Sequence, residues 1–297
     1  MLRRSAAALV TALLLASCGS TNDAATVNDG AVTVASLEQV VADFATVGET
    51  QILNGVASGD TVRGLLTSLI RAEVVNQVLA ANDVEVTQAE RDEVAAQLAS
   101  QGNTDLPPTL IELIITLNSA NAALARVAPL STTDIAATYD IDPKKLGVLC
   151  VRHLVVEDEA TAKKARAELG ATAGDEEFAK VAGKYSVEPN AAETGGALTG
   201  QSGACISLNE WQAGFDPDFV AGAFAARVGE PTQPVKSSFG WHVIYVRPFA
   251  AVAKNLIATL TAAPGEYRLL SALREADVSV ASRYGRWDPL SGAVVKL

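Results

Sequence analysis

The chain has 297 residues, 49% hydrophobic and 19% charged, enough apolar side chains for one large or two ordinary cores and too many for a disordered chain. Its formal charge of −11 at pH 7 argues against a nucleic-acid partner, because phosphate contact needs a face of clustered Lys and Arg. Loss of a leader carrying Arg3 and Arg4 but no acid takes the balance to −13, with 21 basic against 34 acidic residues. Such a surface suits solubility and weak, non-sticky contact with other chains.

Residues 1–18 have the parts of a secretory signal: Arg3-Arg4, an apolar core from Ala6 to Ala16, then small residues. Leu15-Ala16-Ser17-Cys18 resembles a bacterial lipobox, in which Cys18 takes a diacylglyceryl group and becomes the new N-terminus. The competing reading is ordinary cleavage near Ala16. Residues 19–35, rich in Ser, Thr, Asn, Asp and Gly, read as a flexible linker. No later run is long and charge-free enough to span a bilayer, since Glu112 interrupts the longest, Leu110 to Leu117.

From Ser36 to residue 145 the pattern is helical. Asp60 is placed to cap the strongest helix, whose stripe includes Val62, Leu65, Leu66, Leu69, Ile70 and Val74. Thr87-Gln88-Ala89-Glu90 has the form of a capping box. Pro107-Pro108 opens an apolar helix, and Ser131 is placed to cap a short one ending before Asp142-Pro143. This block contains no His, no Cys and no phosphate-binding loop, so no chemistry is assigned to it. Pro143-Lys144-Lys145 reads as a boundary.

The next stretch, 146–250, holds both histidines of the chain. His153 lies in the β-branched run Leu149 to Val156, and His242 in Phe239 to Val246; both runs read as buried strands. Between them come helices over Glu159 to Leu169 and Asp175 to Lys184, with Asp175 as a cap for the second, then Gly195-Gly196-Ala197-Leu198. A helix then opens at Phe215-Asp216-Pro217-Asp218-Phe219. Residues 251–297 give a helical pattern broken at Pro264-Gly265, then the alternating Val278-Ser279-Val280. Cys150 and Cys205, the other thiols of an exported chain, are expected as a structural disulfide rather than two buried thiols; they lack the further ligands a metal site needs.

A strand with His, helices, a double-glycine turn, a helix and a closing strand with His resemble a parvulin-type peptidyl-prolyl isomerase domain. The helical block before it resembles the chaperone region of SurA- and PrsA-type foldases. The resemblance implies an α+β fold: a parvulin-like domain, with a small antiparallel sheet and flanking helices, joined to an all-α SurA-like lobe on which the C-terminal segment packs. It maps the proline pocket to Leu198, Phe215, Phe219 and Phe239, and the polar cluster to His153, His242 and Glu188. Glu188 stands where the family usually has Asp or Cys, and Ala197 where it often has Asp. The histidines can act either by touching the transition state or by bonding each other to fix the site. Glu157-Asp158-Glu159 follows the first strand where phospho-directed members carry basic residues, which disfavours a phosphorylated substrate.

Together these features imply an isomerase that needs no cofactor and no metal. It would be lipid-anchored on the extracytoplasmic side of a bacterial membrane and act on unfolded, proline-containing exported chains. Two rivals differ in class: a chaperone lipoprotein whose parvulin domain is inert, suggested by Glu188 and Ala197, and a scaffold for one envelope partner.

Overall fold

Alternating small apolar residues near the N-terminus fold as a hairpin, not a linker. In the computed structural model, which describes residues 22–50, 52, 56–103, 105–201 and 203–297, strands β1 (Asp23–Val27) and β2 (Gly30–Thr33) pair antiparallel. Ala24, Ala25, Val27 and Val32 are buried there, which is what the expected tether over 19–35 overlooked: small residues can be the packed face of a strand. The signal, the lipobox and Cys18 lie outside the described residues.

Helix α1 (Val34–Thr46) follows, capped by Thr33. Helix α2 (Gly59–Ala81) buries Leu65, Leu66, Ile70 and Val74. Its N-cap position is Ser58, not the expected Asp60, which sits in the first turn and pairs with Arg63. A carboxylate there still complements the helix dipole. The capping box at Thr87 and Glu90 starts α3 (Gln88–Ser100). Proline at its first position starts α4 (Pro108–Ala125), and Ser131 caps α5 (Thr132–Ile141). Despite Glu112, α4 is by length and apolarity a helix that could cross a membrane. Here it packs against α2, α3 and the C-terminal helix α12 (Pro264–Glu275), burying Leu110, Ile115, Ala120 and Leu124.

Pro143–Leu146, at the expected boundary, is a 3-10 turn with Pro143, Lys144 and Leu146 buried. At Gly147 (φ +72) a Cβ would stand 2.7 Å from the Tyr267 carbonyl, and that contact requires glycine.

The first histidine strand divides at Cys150 into β3 (Val148–Leu149) and β4 (Val151–Val156). Helices α6 (Glu159–Leu169), α7 (Asp175–Tyr185) and α8 (Ala191–Thr194) come next. Strand β5 (Ile206–Ser207) pairs with β3 and leads into α9 (Leu208–Gly214) and α10 (Pro217–Ala225). Strands β6 (Val235–Ser237) and β7 (Gly240–Val246) close an antiparallel sheet ordered β4-β7-β6. One face of it, with Leu154, Val156, Val243 and Tyr245, packs on α6 and α7. Ile244 and Val246 face a second core with Trp211, Phe219, Val220 and Ala223.

Helix α11 (Phe249–Ala262) and α12 then return the chain to the N-terminal half. Strand β8 (Val278–Val280) pairs with β1, giving the helical lobe a sheet of its own in the order β2-β1-β8. A last hairpin, β9 (Arg286–Asp288) and β10 (Ala293–Val295), lays Val294 into the core of β1, β2 and α2.

Candidate active site

Strand register places the two imidazoles. His153 lies opposite Ile244 and His242 opposite Val155, so the histidines are diagonal neighbours on one face of the sheet. Their Nδ1 atoms stand 3.3 Å apart, the rings are nearly parallel, and both residues are about 5% exposed or less. The backbone of His153 is held by the double-glycine turn: its N–H donates to the Gly196 carbonyl at 2.8 Å. Gly196 has φ +70, and a Cβ there would fall 1.9 Å from the His153 carbonyl oxygen, so no other residue permits the approach.

Glu188 reaches the pair from the segment after α7. The Ser186 hydroxyl accepts the Val155 N–H, and the Val187 N–H donates to the Val155 carbonyl at 2.9 Å, docking this segment alongside β4. Glu188 Oε2 stands 3.1 Å from His153 Nε2, close enough for an ion pair, but the ring N–H is not aligned for a good hydrogen bond. Contact with the His153 ring N–H holds the Glu188 carboxyl below its ordinary range against partial burial.

At the other end stands Ser237, which the sequence reading did not single out. Its Oγ lies 2.7 Å from His242 Nε2 and accepts the Phe239 N–H at 3.1 Å. The four residues form a row whose polarity is fixed at both ends. A backbone N–H can only donate, so the Ser237 hydroxyl proton is free to go to His242 Nε2. His242 then carries its proton on Nδ1 and donates to His153 Nδ1, leaving His153 Nε2–H facing a carboxylate that can only accept. Burial and the adjacent His153 push His242 down to about 4, which agrees with a neutral ring in this arrangement.

Phe219 covers both rings, its centroid 5.1 Å from His153 and 4.7 Å from His242. Phe215 lies 6.0 Å from it and Trp211 5.8 Å, with Leu198 packed against the same core. Three of the four expected pocket residues therefore converge, while Phe239 is 77% exposed and stands outside the cluster. Asp216 caps α10 through Oδ1 and accepts the Ser238 N–H and hydroxyl through Oδ2, tying α10 to the β6–β7 turn.

Asp175 caps nothing. Gly174 holds the cap position, and the Asp175 carboxylate accepts paired bonds from Arg152 (3.0 and 3.0 Å) and Arg247 (2.7 and 3.0 Å). Burial opposes its ionisation, but the bonds from Arg247 and Arg152 outweigh it and depress the carboxyl. Arg152 also donates to the Thr194 and Gly195 carbonyls, so this network anchors the turn that anchors His153. Cys150 and Cys205, both fully buried, are joined in a disulfide. Among the described residues no three or more His, Cys, Asp or Glu side chains converge as a metal site.

Residues 154–248 match the rotamase family, described as a PPIC-type PPIASE domain. A probable parvulin-type peptidyl-prolyl cis-trans isomerase of Bordetella pertussis is 30% identical over 247 residues, covering 81% of this chain and 83% of that protein. The foldase protein PrsA of Clostridium kluyveri is 31% identical over 133 residues, 43% of this chain; the match spans only 36% of that foldase's length. The crystal structure of PrsA from Bacillus subtilis aligns over 86% of this chain and 92% of its own at 20% identity, with a TM-score of 0.30.

Proposed function

The chain belongs to the parvulin-type peptidyl-prolyl isomerase family, and from that premise we propose that it isomerises X-Pro bonds in exported polypeptides, without metal or cofactor. The observation that carries this reading is the buried row Ser237–His242–His153–Glu188 under the ring of Phe219. The barrier to be lowered is about 18–20 kcal/mol of amide resonance, and no bond to carbon or hydrogen need break. What the reaction requires is an apolar seat for the proline ring, exclusion of water, and a polar group beside the twisting C–N bond. Phe219, Phe215 and Leu198 supply the seat. The histidine row supplies fixed dipoles that need not reorganise, and Glu188 supplies charge at its open end.

A protease-coupled proline-peptide assay on protein lacking residues 1–18 tests this. Turnover above the uncatalysed rate is expected, and turnover equal to buffer from correctly folded protein would leave the inert-domain reading in its place. That rival is favoured by Glu188 and Ala197. A cavity of about 330 Å³ is lined by none of the residues of the histidine row. Leu130, Ile135, Ile257, Leu260 and Tyr267 line it, and there the helical lobe offers an apolar surface to an unfolded chain. Holding and isomerising are compatible activities on separate surfaces.

The extracytoplasmic, lipid-anchored location rests on the sequence of residues 1–18. Cys18→Ala should release the protein from membranes, and unchanged partition with unchanged N-terminal mass would refute the anchor.

A further inference from the structure

The two ends of the histidine row differ in access. Ser237 is buried and closes one end, whereas the Glu188 side chain is 42% exposed at the other. Only Oε2 of Glu188 faces His153; Oε1 has no protein partner among the described residues. If the proline ring lies against Phe219 and its amide over the imidazoles, the residue bearing the isomerising carbonyl, the one before proline, runs along the row. Its side chain can leave only at the open end. There it meets a carboxylate held in its charged form, with more acid around it. The Val187–Val155 bond places Glu188 beside the end of β4, where exposed Glu157 and Asp158 follow.

Nearby cations do not cancel this field. Arg152 and Arg247 are both spent on Asp175, Lys184 is paired with Glu168, and Lys236 lies on β6 over the Trp241 ring. The family's shorter side chains at the position of Glu188 would not reach as far toward solvent, so the extra methylene acquires a use.

We propose that the site prefers X-Pro bonds in which X is lysine or arginine, and that Glu188 is the residue that reads the cation. The inference rests on the isomerase reading for the placement of proline, but its test does not depend on turnover. Blocked peptides Ala-Lys-Pro-Phe, Ala-Arg-Pro-Phe, Ala-Leu-Pro-Phe and Ala-Glu-Pro-Phe would be titrated against the full chain by calorimetry and assayed for turnover in parallel. A partly exposed ion pair is worth up to about fivefold in affinity, and replacing attraction by repulsion roughly doubles the logarithm of the effect. The lysine and arginine peptides should therefore bind about tenfold or more tighter than the glutamate peptide, with leucine between, in about 0.05 M salt.

The ratio should fall to about twofold in Glu188→Gln, and likewise in about 1 M salt, where the screening length is near 3 Å. Equal affinity across the four peptides, no measurable binding of any of them, or an undiminished ratio in Glu188→Gln would overturn the proposal. Charge-selective binding without turnover would sink the isomerase reading and leave the cation preference standing. Turnover with equal affinity and equal kcat/KM for all four would do the reverse.

Discussion

Asp175→Asn should cost more stability than any surface substitution in this protein. The Asp175 carboxylate is the shared acceptor for two guanidinium groups whose side chains are only 12% and 11% exposed, through four bonds of 2.7–3.0 Å. Asparagine keeps one acceptor oxygen and places an N–H₂ donor where a guanidinium now donates. Breaking a buried pair by neutralising one partner typically costs about 3–5 kcal/mol, because the other charge stays desolvated. Here two charges stay, but each Arg keeps a carbonyl contact, so a loss on the order of 3 kcal/mol is expected. Urea unfolding followed by circular dichroism measures it as a lowered midpoint at unchanged slope. The pH dependence supplies a second check. A depressed carboxyl stabilises above the unfolded value, about 4, and the contribution disappears as pH falls through the lower folded value. The wild type should therefore lose this increment in acid, and the variant, having none, should not. A midpoint shift worth less than about 1 kcal/mol, with wild-type acid sensitivity retained, would refute the claim that this network holds the turn behind His153.

His242 titrates in a separate window. With its folded pKa near 4 against an unfolded value of about 6.5, protonation favours the unfolded chain as pH falls from 6.5 to 4. A loss on the order of 3 kcal/mol over that range should appear in wild type and vanish in His242→Gln. Reduction of Cys150–Cys205, which spans 55 residues, should lower stability by about 4 kcal/mol on chain-entropy grounds; two alkylatable thiols in protein from its native compartment would refute the pairing. Ile257→Glu, placing a carboxylate on the half-buried wall of the large cavity, should weaken suppression of client aggregation while leaving peptide turnover intact. Equal loss of both would show that the two surfaces are not independent.

The helices were legible because their signals are local. Thr87 with Glu90, Pro107 with Pro108, and Ser131 each announce a start through bonds or geometry within four residues, and the structure uses all three. The histidine strands were legible from β-branched runs, and their shared face follows from a period of two once the register is known. What the sequence concealed depends on distant partners. Nothing near Asp175 distinguishes a helix cap from an acceptor for Arg152 and Arg247, which lie 23 and 72 residues away. Ser237 sits five residues from His242, near enough to notice, yet nothing local tells it from Ser238 until the end of β6 turns it inward. The hairpin of β1 and β2 is joined by β8, some 250 residues later, a partner that nothing in the local composition announces.

Phe219 shows why pocket and polar cluster cannot be treated as separable parts. Sequence reasoning assigns the ring to the proline seat and the histidines to the amide, as though truncating one would spare the other. The ring lies within about 5 Å of both imidazoles and is 4% exposed, so it is a shared wall. Removing it would admit water to the histidine pair, weaken the dipoles that a dry site strengthens, and ease protonation of His242. A loss of activity in such a variant would mix lost seating with a changed field. Glu188 is the member of the row that can be altered from the solvent side without opening that wall. Shortening it to aspartate changes reach at constant charge, while glutamine removes the charge at constant length and turns one acceptor into a donor. The chemistry of this site is therefore best dissected from its open end.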